Sequence, residues 1–198
     1  MSGAFPLSDR FTEATAYALL HHREQRRKGA EIPYAAHLLA VAAIALEMEC
    51  TEDEAIAALL HDVIEDGGGT AAEAEIAGRF GADVAAMVRA NSDTDVEPKP
   101  PWRARKEAYL AGIATKPVGA VRVSIADKLH NARSILFDHR RIGESVWDRF
   151  TADRDETLWY YESLVGAFEQ RRDELGGGAS AALDELERVV AELVDRVT

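Results

Sequence analysis

The stretch LLHDVIED, Leu59 to Asp66, joins an apolar run to one histidine and three carboxylates. His61 and Glu65 lie four residues apart, as do Asp62 and Asp66, so a helix would place each pair on a shared face. Charged groups beside buried leucines are costly unless they are paired or bound to a metal ion. The stretch therefore favours a buried polar site over the solvated helix end that paired carboxylates usually indicate.

The 198 residues around this stretch predict one domain with one core. Apolar residues recur at three- and four-residue spacing and Ala, Leu, Glu and Arg are abundant, which predicts an all-α, single-domain helical bundle. We predict helices at about 8–28, 33–50, 103–115, 118–139, 153–172 and from 180 onward. Residues 1–175 are expected to form the main domain, and 176–198 an appended helix or a dimer contact after a Gly-rich break.

Two capping boxes mark helix starts around the opening stretch. Thr51 with Glu54 predicts the start of one helix, and Thr70 with Glu73 predicts another after the glycines at 67–69. The segment NSDTDVEPKPPW, 91–102, contains three prolines and predicts a long loop. This loop and the helix after it are either a lid or a solvated connection, with four cations: Lys99, Arg103, Arg105 and Lys106.

Composition excludes several classes of protein. With 35 acidic and 23 basic residues the net charge is -12, which disfavours nucleic acid as a partner. No run reaches the roughly 18 apolar residues that span a membrane. The N-terminus lacks a basic segment followed by an apolar one, so we predict a cytoplasmic protein. The single cysteine, Cys50, excludes an internal disulfide framework and is expected in the core.

His37, in IPYAAHLLAVA, is the predicted partner of His61. The midpoint between them falls near the break between the second and third helices. If those helices pack antiparallel, the two imidazoles lie at similar heights and converge. Alone, His37 would be interpreted as an ordinary core histidine.

Asp127, in RVSIADKLHNARS, is a further candidate ligand. The apolar stripe of its helix leaves Asp127, Asn131 and Ser124 on another face. Alone, this segment would be interpreted as a surface helix with an Asp–Lys pair. Two imidazoles and two carboxylates suit a divalent ion such as Mn²⁺, Fe²⁺ or Zn²⁺. Such an ion lowers the pKa of bound water and polarises a phosphoryl oxygen, which predicts phosphoester hydrolysis.

These residues carry a family resemblance. His37, His61-Asp62 and Asp127 match the H…HD…D pattern of the HD superfamily of metal-dependent phosphohydrolases. Five segments occur in order: HHREQRRK, PYAAHLLAVA, AALLHDVIEDGGGT, RFGADVAAMV and VSIADKLHNARSIL. Together they resemble the (p)ppGpp hydrolase domain of RelA/SpoT proteins and the stand-alone small alarmone hydrolases. The resemblance covers about 11–136, and weakly extends to 168.

The resemblance implies roles for individual residues. It implies four ligands for a metal ion, usually Mn²⁺: His37, His61, Asp62 and Asp127. It further implies that Glu65 and Asp66 position and activate the attacking water. The expected reaction is removal of the 3′-pyrophosphate of ppGpp or pppGpp.

The resemblance also implies contacts to the nucleotide. Arg27 and Lys28 match residues over the guanine base and near the phosphates, and a guanidinium stacks well on a purine. Asn131 matches a ribose contact, and Tyr160 a nucleotide contact for which Tyr161 is the rival. Without the resemblance, the two cations would be interpreted as a basic helix C-terminus.

Departures from the family pattern leave the substrate open. Leu38 follows His37 where the family usually has proline, and Glu24 replaces a glycine. The alternatives are the 2′-phosphate of NADPH, a 3′-phosphorylated nucleoside, or a non-catalytic nucleotide-binding module. His22 is an alternative first ligand. Three further histidines are interpreted as structural or solvent-facing: His21, His130 and His139.

Overall fold

The computed structural model describes residues 7–93 and 98–197, and all regular elements within these ranges are helical. The all-α prediction is therefore confirmed. The α-helices are α1 Asp9–His21, α2 Ala35–Glu47, α3 Glu52–Leu60, α4 Gly69–Phe80, α5 Ala82–Asn91, α6 Trp102–Ile113, α7 Val118–Ile142, α8 Arg154–Glu169, α9 Arg172–Leu175 and α10 Gly177–Val197. A π-helical turn, Ile64–Gly68, precedes α4, and a 3-10 segment, Gly143–Arg149, follows α7.

The long helix α7 is the centre of the bundle. It packs against α2, α3, α5 and α10, and its apolar stripe is buried. Cys50 lies in the same core, where burial raises the pKa of its thiol to about 12. Since α7 also carries Asp127, the core helix positions one side of the site.

The C-terminal helix α10 belongs to this bundle. It packs against α7 and α8 and buries an apolar stripe that includes Leu183, Leu186 and Leu193. Its apolar face is therefore used inside the domain and is not available as a dimer contact. In the described ranges, none of the helices is both long enough and apolar enough to cross a membrane.

The predicted first helix is too long. α1 ends at His21, and the chain then forms an antiparallel bridge between Arg26 and Pro33. Arg27 N–H donates to the carbonyl of Ile32 at 2.8 Å, so the backbone of this segment bonds across a loop rather than along a helix. The interpretation of the basic pair as a helix C-terminus is therefore wrong.

The stretch LLHDVIED is also not one continuous α-helix. α3 ends at Leu60, and the turn that follows leads into the π-helical segment, which ends where Gly69 adopts φ +49°. The capping box at Thr51 is confirmed by both of its hydrogen bonds. The capping box predicted at Thr70 is wrong. α4 begins at Gly69, which places Thr70 inside the helix, and the Glu73 carboxylate accepts from Arg89.

The other helix ends lie within three residues of the predicted bounds. Residues 92, 93 and 98–101 are non-helical, as predicted for the long loop, and 94–97 lie outside the described residues.

Candidate metal and nucleotide site

Four predicted ligands converge where α2, the end of α3 and α7 meet. His37 Nε2 lies 3.1 Å from His61 Nε2, as expected if the contacting helices α2 and α3 pack antiparallel. Asp62 Oδ2 lies 2.9 Å from His61 Nε2 and 3.5 Å from His37 Nε2. Asp127 Oδ1 lies 3.3 Å from His37 Nε2 and 3.6 Å from His61 Nε2. Donor atoms of three different elements therefore point at one spot.

The spacing of these donors fits one divalent ion. Two ligands at about 2.1 Å from a metal are roughly 3.0 to 3.4 Å apart for right-angle or tetrahedral geometry. The observed separations of 2.9 to 3.6 Å bracket that range. His61 Nδ1 donates to the carbonyl of Ala58 at 2.8 Å, which keeps Nε2 directed at the cluster. The donor set therefore suits a metal-dependent hydrolase of mixed N and O ligation.

The charges of the cluster are strongly coupled. Burial opposes the imidazolium of His61, yet the carboxylates, Asp62 foremost, outweigh it and hold the pKa of His61 well above its usual range. Burial likewise opposes the ionised form of Asp127, but the Lys128 ammonium and the two histidines hold its pKa well below the usual range. Asp62 and Asp127 are therefore ionised and can balance the charge of a bound cation.

A second set of side chains orients the ligands. Tyr34 Oη donates to Asp62 Oδ2 at 2.5 Å, and His130 Nδ1 lies 2.8 Å from His37 Nδ1. Burial, then His37 and Arg27, lowers the pKa of His130 to about 4, so its imidazole is neutral and accepts from His37 when Nε2 of His37 binds a metal. Interpreting His130 as merely structural or solvent-facing missed this contact.

Asp127 is held by two residues of its own helix. Lys128 Nζ donates to Asp127 Oδ2 at 2.5 Å, and Asn131 Nδ2 donates to Asp127 Oδ1 at 2.5 Å. The Asp–Lys pair that fitted a surface helix is in fact largely buried, with 11% and 16% of the side chains exposed. Nothing in the local sequence distinguishes a buried pair from an exposed one.

The two predicted catalytic carboxylates are placed differently. Glu65 lines the cavity beside the cluster and accepts from the backbone N–H of Asp93 at 3.1 Å and from Lys99 at 3.5 Å. Asp66 is not among the cavity-lining residues and accepts from Gln25 Nε2 at 2.7 Å. The cavity is thus lined by Asp62 and Glu65 but not by His61 or Asp66, so the two expected pairs do not each share one environment.

His22 does not join the donor cluster in the described part of the chain. Its ring is buried, and Nδ1 lies 2.6 Å from Gln25 Oε1 and 3.9 Å from Asp66 Oδ2. Gln25 thus connects a buried imidazole to an exposed carboxylate. The donors that all lie within 4.8 Å of one another are His37, His61 and Asp127, and Asp62 adjoins this group through its contacts with the two imidazoles.

A cavity of about 700 Å³ opens onto the cluster. Arg27, Lys28 and Asn131 line it, and Arg27 Nη2 donates to Asn131 Oδ1 at 2.7 Å. Tyr160 and Tyr161 both line it, and the buried Tyr160 hydroxyl has no hydrogen-bond partner among the described residues. The predicted nucleotide contacts are therefore brought together in one place.

The four cations of the predicted lid have different partners, and Lys99 pairs with Glu65. Arg105 and Lys106 line the cavity, and both donate to Asp93, a carboxylate that is only 6% exposed. Arg103 instead stacks on the Trp159 ring at 3.1 Å and pairs with Glu107. Motion of this segment as a lid stays a prediction.

Comparison with known proteins now identifies the family. A family model described as HD domain matches residues 14–157. The chain belongs to the HD domain family.

Two metazoan relatives match most of the chain. The Drosophila melanogaster protein named guanosine-3′,5′-bis(diphosphate) 3′-pyrophosphohydrolase MESH1 is 37% identical over 156 residues, covering 74% of this chain and 84% of the relative. The Homo sapiens protein of the same name is 37% identical over 126 residues, covering 62% and 68%. Brucella melitensis GTP pyrophosphokinase rsh is 32% identical over 168 residues, and the chain spans only 21% of its length.

A solved structure supports the fold over nearly the whole chain. It is described as a metazoan ortholog of SpoT that hydrolyzes ppGpp and plays a role in starvation responses. It superposes with a TM-score of 0.72 at 28% identity, covering 94% of this chain and 97% of that one.

Proposed function

We propose that the protein is a metal-dependent hydrolase that removes the 3′-pyrophosphate of ppGpp, giving GDP and pyrophosphate. From pppGpp the products would be GTP and pyrophosphate. The observation that carries the proposal is the convergence of His37, His61, Asp62 and Asp127 at the mouth of a cavity lined by cations. The names of the two MESH1 relatives and the family of the chain support the same reaction.

We propose Mn²⁺ as the ion, held by His37, His61, Asp62 and Asp127, with Fe²⁺ and Zn²⁺ as the alternatives. When bound, a divalent ion supplies a Lewis acid that acidifies water and polarises a phosphoryl oxygen. Mixed imidazole and carboxylate ligation suits all three ions. Tyr34, His130 and the Ala58 carbonyl hold three of these ligands in one orientation.

Glu65 and Asp66 are the proposed catalytic carboxylates. Water attacks the phosphorus next to O3′, the bond between that phosphorus and O3′ breaks, and pyrophosphate leaves with the oxygen of the water. Glu65, which faces the cavity, takes the proton of the water, and O3′ of the nucleoside gains one. Asp66, the next residue of the same π-helical turn, accepts from Gln25 outside the cavity lining and is the proposed second carboxylate that orients the water.

The remaining proposed roles concern nucleotide binding. Arg27 stacks on the base, Lys28 offsets phosphate charge, Asn131 meets the ribose, and Tyr160 contacts the nucleotide with its free hydroxyl. Because Arg27 and Asn131 are bonded to each other, the nucleotide would insert beside an existing contact.

We further propose a cytoplasmic protein that binds a small nucleotide and no nucleic acid, as its net charge of -12 supports. A homodimer remains a prediction, and α10 does not form it through the face that packs on α7 and α8.

The test is a substrate panel with Mn²⁺: ppGpp, NADPH, a nucleoside 3′-phosphate and ordinary nucleotides, with separate detection of pyrophosphate and phosphate. We expect pyrophosphate from ppGpp alone. Release of phosphate from NADPH or from a nucleoside 3′-phosphate would support the metal site but contradict ppGpp as the substrate. Binding of metal and ppGpp without turnover under any divalent ion would indicate a binding module.

A further inference from the structure

An ion pair lines the same cavity as the metal cluster. Arg149 Nη1 donates to Asp138 Oδ2 at 2.6 Å, and less than a fifth of each side chain is exposed. Asp138 lies eleven residues after Asp127 on α7, which is about 16.5 Å along the helix axis. The pair is therefore well separated from the cluster but opens onto the same space.

Four polar side chains of α7 connect the cluster to this pair. They all line the cavity at helical spacing and share one face: Asp127, Asn131, Ser134 and Asp138. This inference rests on the proposed function for the direction of the nucleotide. With the 3′ phosphates at Asp127 and the ribose at Asn131, the base extends toward Asp138.

The segment that carries Arg27 and Lys28 also contacts this ion pair. Gly29, which has φ +68°, packs so closely on the stem of Arg149 that a Cβ there would lie 2.5 Å from Arg149 Cγ. Gly29 directly follows Arg27 and Lys28, the proposed base and phosphate contacts. Apolar groups complete this end of the cavity: Ile32, Ile135, Val146 and Phe150. An aromatic base fits such surroundings.

The pair still has free hydrogen-bonding capacity. Asp138 Oδ1 lies 3.6 Å from Arg141, which is beyond hydrogen-bond distance. A carboxylate offers about four acceptor positions and a guanidinium five donors, and the bond between Asp138 and Arg149 uses one of each. Acceptors and donors thus stand side by side at the edge of the cavity.

This arrangement complements guanine. The Watson–Crick edge of guanine presents the acceptor O6 next to the donors N1–H and N2–H₂, which match an arginine donor beside carboxylate acceptors. Adenine presents an amino donor next to the N1 lone pair, and that lone pair would face the carboxylate. We propose that Asp138 and Arg149 recognise the base and select guanine over adenine.

The test compares two ligands that differ only in the base: guanosine 3′,5′-bisphosphate and adenosine 3′,5′-bisphosphate. Calorimetry with the Mn²⁺-loaded full chain gives a dissociation constant for each, and their ratio does not depend on the fraction of folded protein. For the wild type we expect guanine to bind about tenfold tighter or more. Asp138→Asn should reduce this ratio at least severalfold, since its carboxamide can also pair with adenine. Asp148→Asn, an exposed neighbour outside the cavity, is the matched control and should keep the ratio.

Arg149→Met provides a second, independent variant. We expect it to weaken guanosine bisphosphate more than adenosine bisphosphate. Equal weakening of both would mean that Arg149 contacts a phosphate, and would overturn its role in base recognition. Equal wild-type affinities, no binding of either ligand, or an unchanged ratio in Asp138→Asn would overturn the proposal as a whole.

The result of this binding test can be distinguished from the result of the ppGpp hydrolysis test. One outcome is that the protein releases no pyrophosphate from ppGpp and yet prefers guanine in a way that Asp138→Asn abolishes. That result would support this inference and contradict the proposed hydrolase function. Pyrophosphate release from ppGpp with no base selection would do the reverse.

Discussion

Replacing Asp127 by asparagine should destabilise the protein even without metal. The substitution keeps the shape of the side chain but leaves Lys128 with its ammonium largely buried and without its ion-pair partner. Removing one partner of a buried pair costs about 3 to 5 kcal/mol. Because 16% of the Lys128 side chain is exposed, the lower end, about 3 kcal/mol, is expected. For a chain of this size that lowers Tm by about 6 to 12 °C.

The assay is urea unfolding in the presence of a chelator, so that loss of a bound ion does not contribute. The double variant Asp127→Asn, Lys128→Met should recover most of the loss, since an apolar side chain often replaces a buried ion pair without cost. Asp148→Asn serves as the surface control. A loss below about 1 kcal/mol for Asp127→Asn, or strictly additive effects in the double variant, would show that the buried pair with Lys128 does not stabilise the fold in this way.

Three further predictions concern the site and its surroundings. His61→Ala should lose the metal ion, whereas Glu65→Gln should keep it and lose about 100-fold or more in kcat; metal analysis and kinetics separate them. Gln25→Ala should lower kcat about tenfold with little change in KM, and have little further effect in an Asp66→Ala background, because its carboxamide N–H donates to that carboxylate. Lys116→Met should stabilise the protein by about 1 kcal/mol or more at pH 7, since the buried ammonium lacks a hydrogen-bond partner in the described part of the chain.

The sign of the Lys116 effect with pH follows from linkage. Burial lowers its pKa to about 7, so between pH 7 and about 10.5 the unfolded chain binds more protons than the folded one. Over that pH range the contribution of Lys116 to the free energy of unfolding of the wild type rises with pH. The stabilisation gained by Lys116→Met therefore becomes smaller as the pH rises. A gain that grows with pH would contradict this.

For the other two predictions, equal metal loss in His61→Ala and Glu65→Gln, or additive losses in the Gln25 and Asp66 pair, would be the contrary results.

The sequence predicts the bundle well because its signals are local. Periodic apolar residues give the helices, and the capping box at Thr51 marks a true helix start. The equal distance of His37 and His61 from one turn predicts their convergence, since helix rise converts sequence spacing into height. Asp127 lies on the face of its helix away from the apolar stripe, but only the family pattern selects it over a surface Asp–Lys pair.

Contacts between distant segments escape such reasoning. Tyr34 and His130 orient ligands across elements, and no spacing rule connects them to Asp62 and His37. The bridge that ends α1 early depends on Ile32 accepting from Arg27, a bond that helix propensity does not reveal. Helix propensity thus reveals neither the contacts between elements nor this bond across the loop.

The most direct measurement is pyrophosphate release from ppGpp by protein stripped with a chelator and then titrated with Mn²⁺. We expect no release from the stripped protein, full release at about one bound ion per chain, and GDP and pyrophosphate in equal amounts. Release that does not need a metal ion, or stepwise loss of single phosphates, would contradict the proposed reaction.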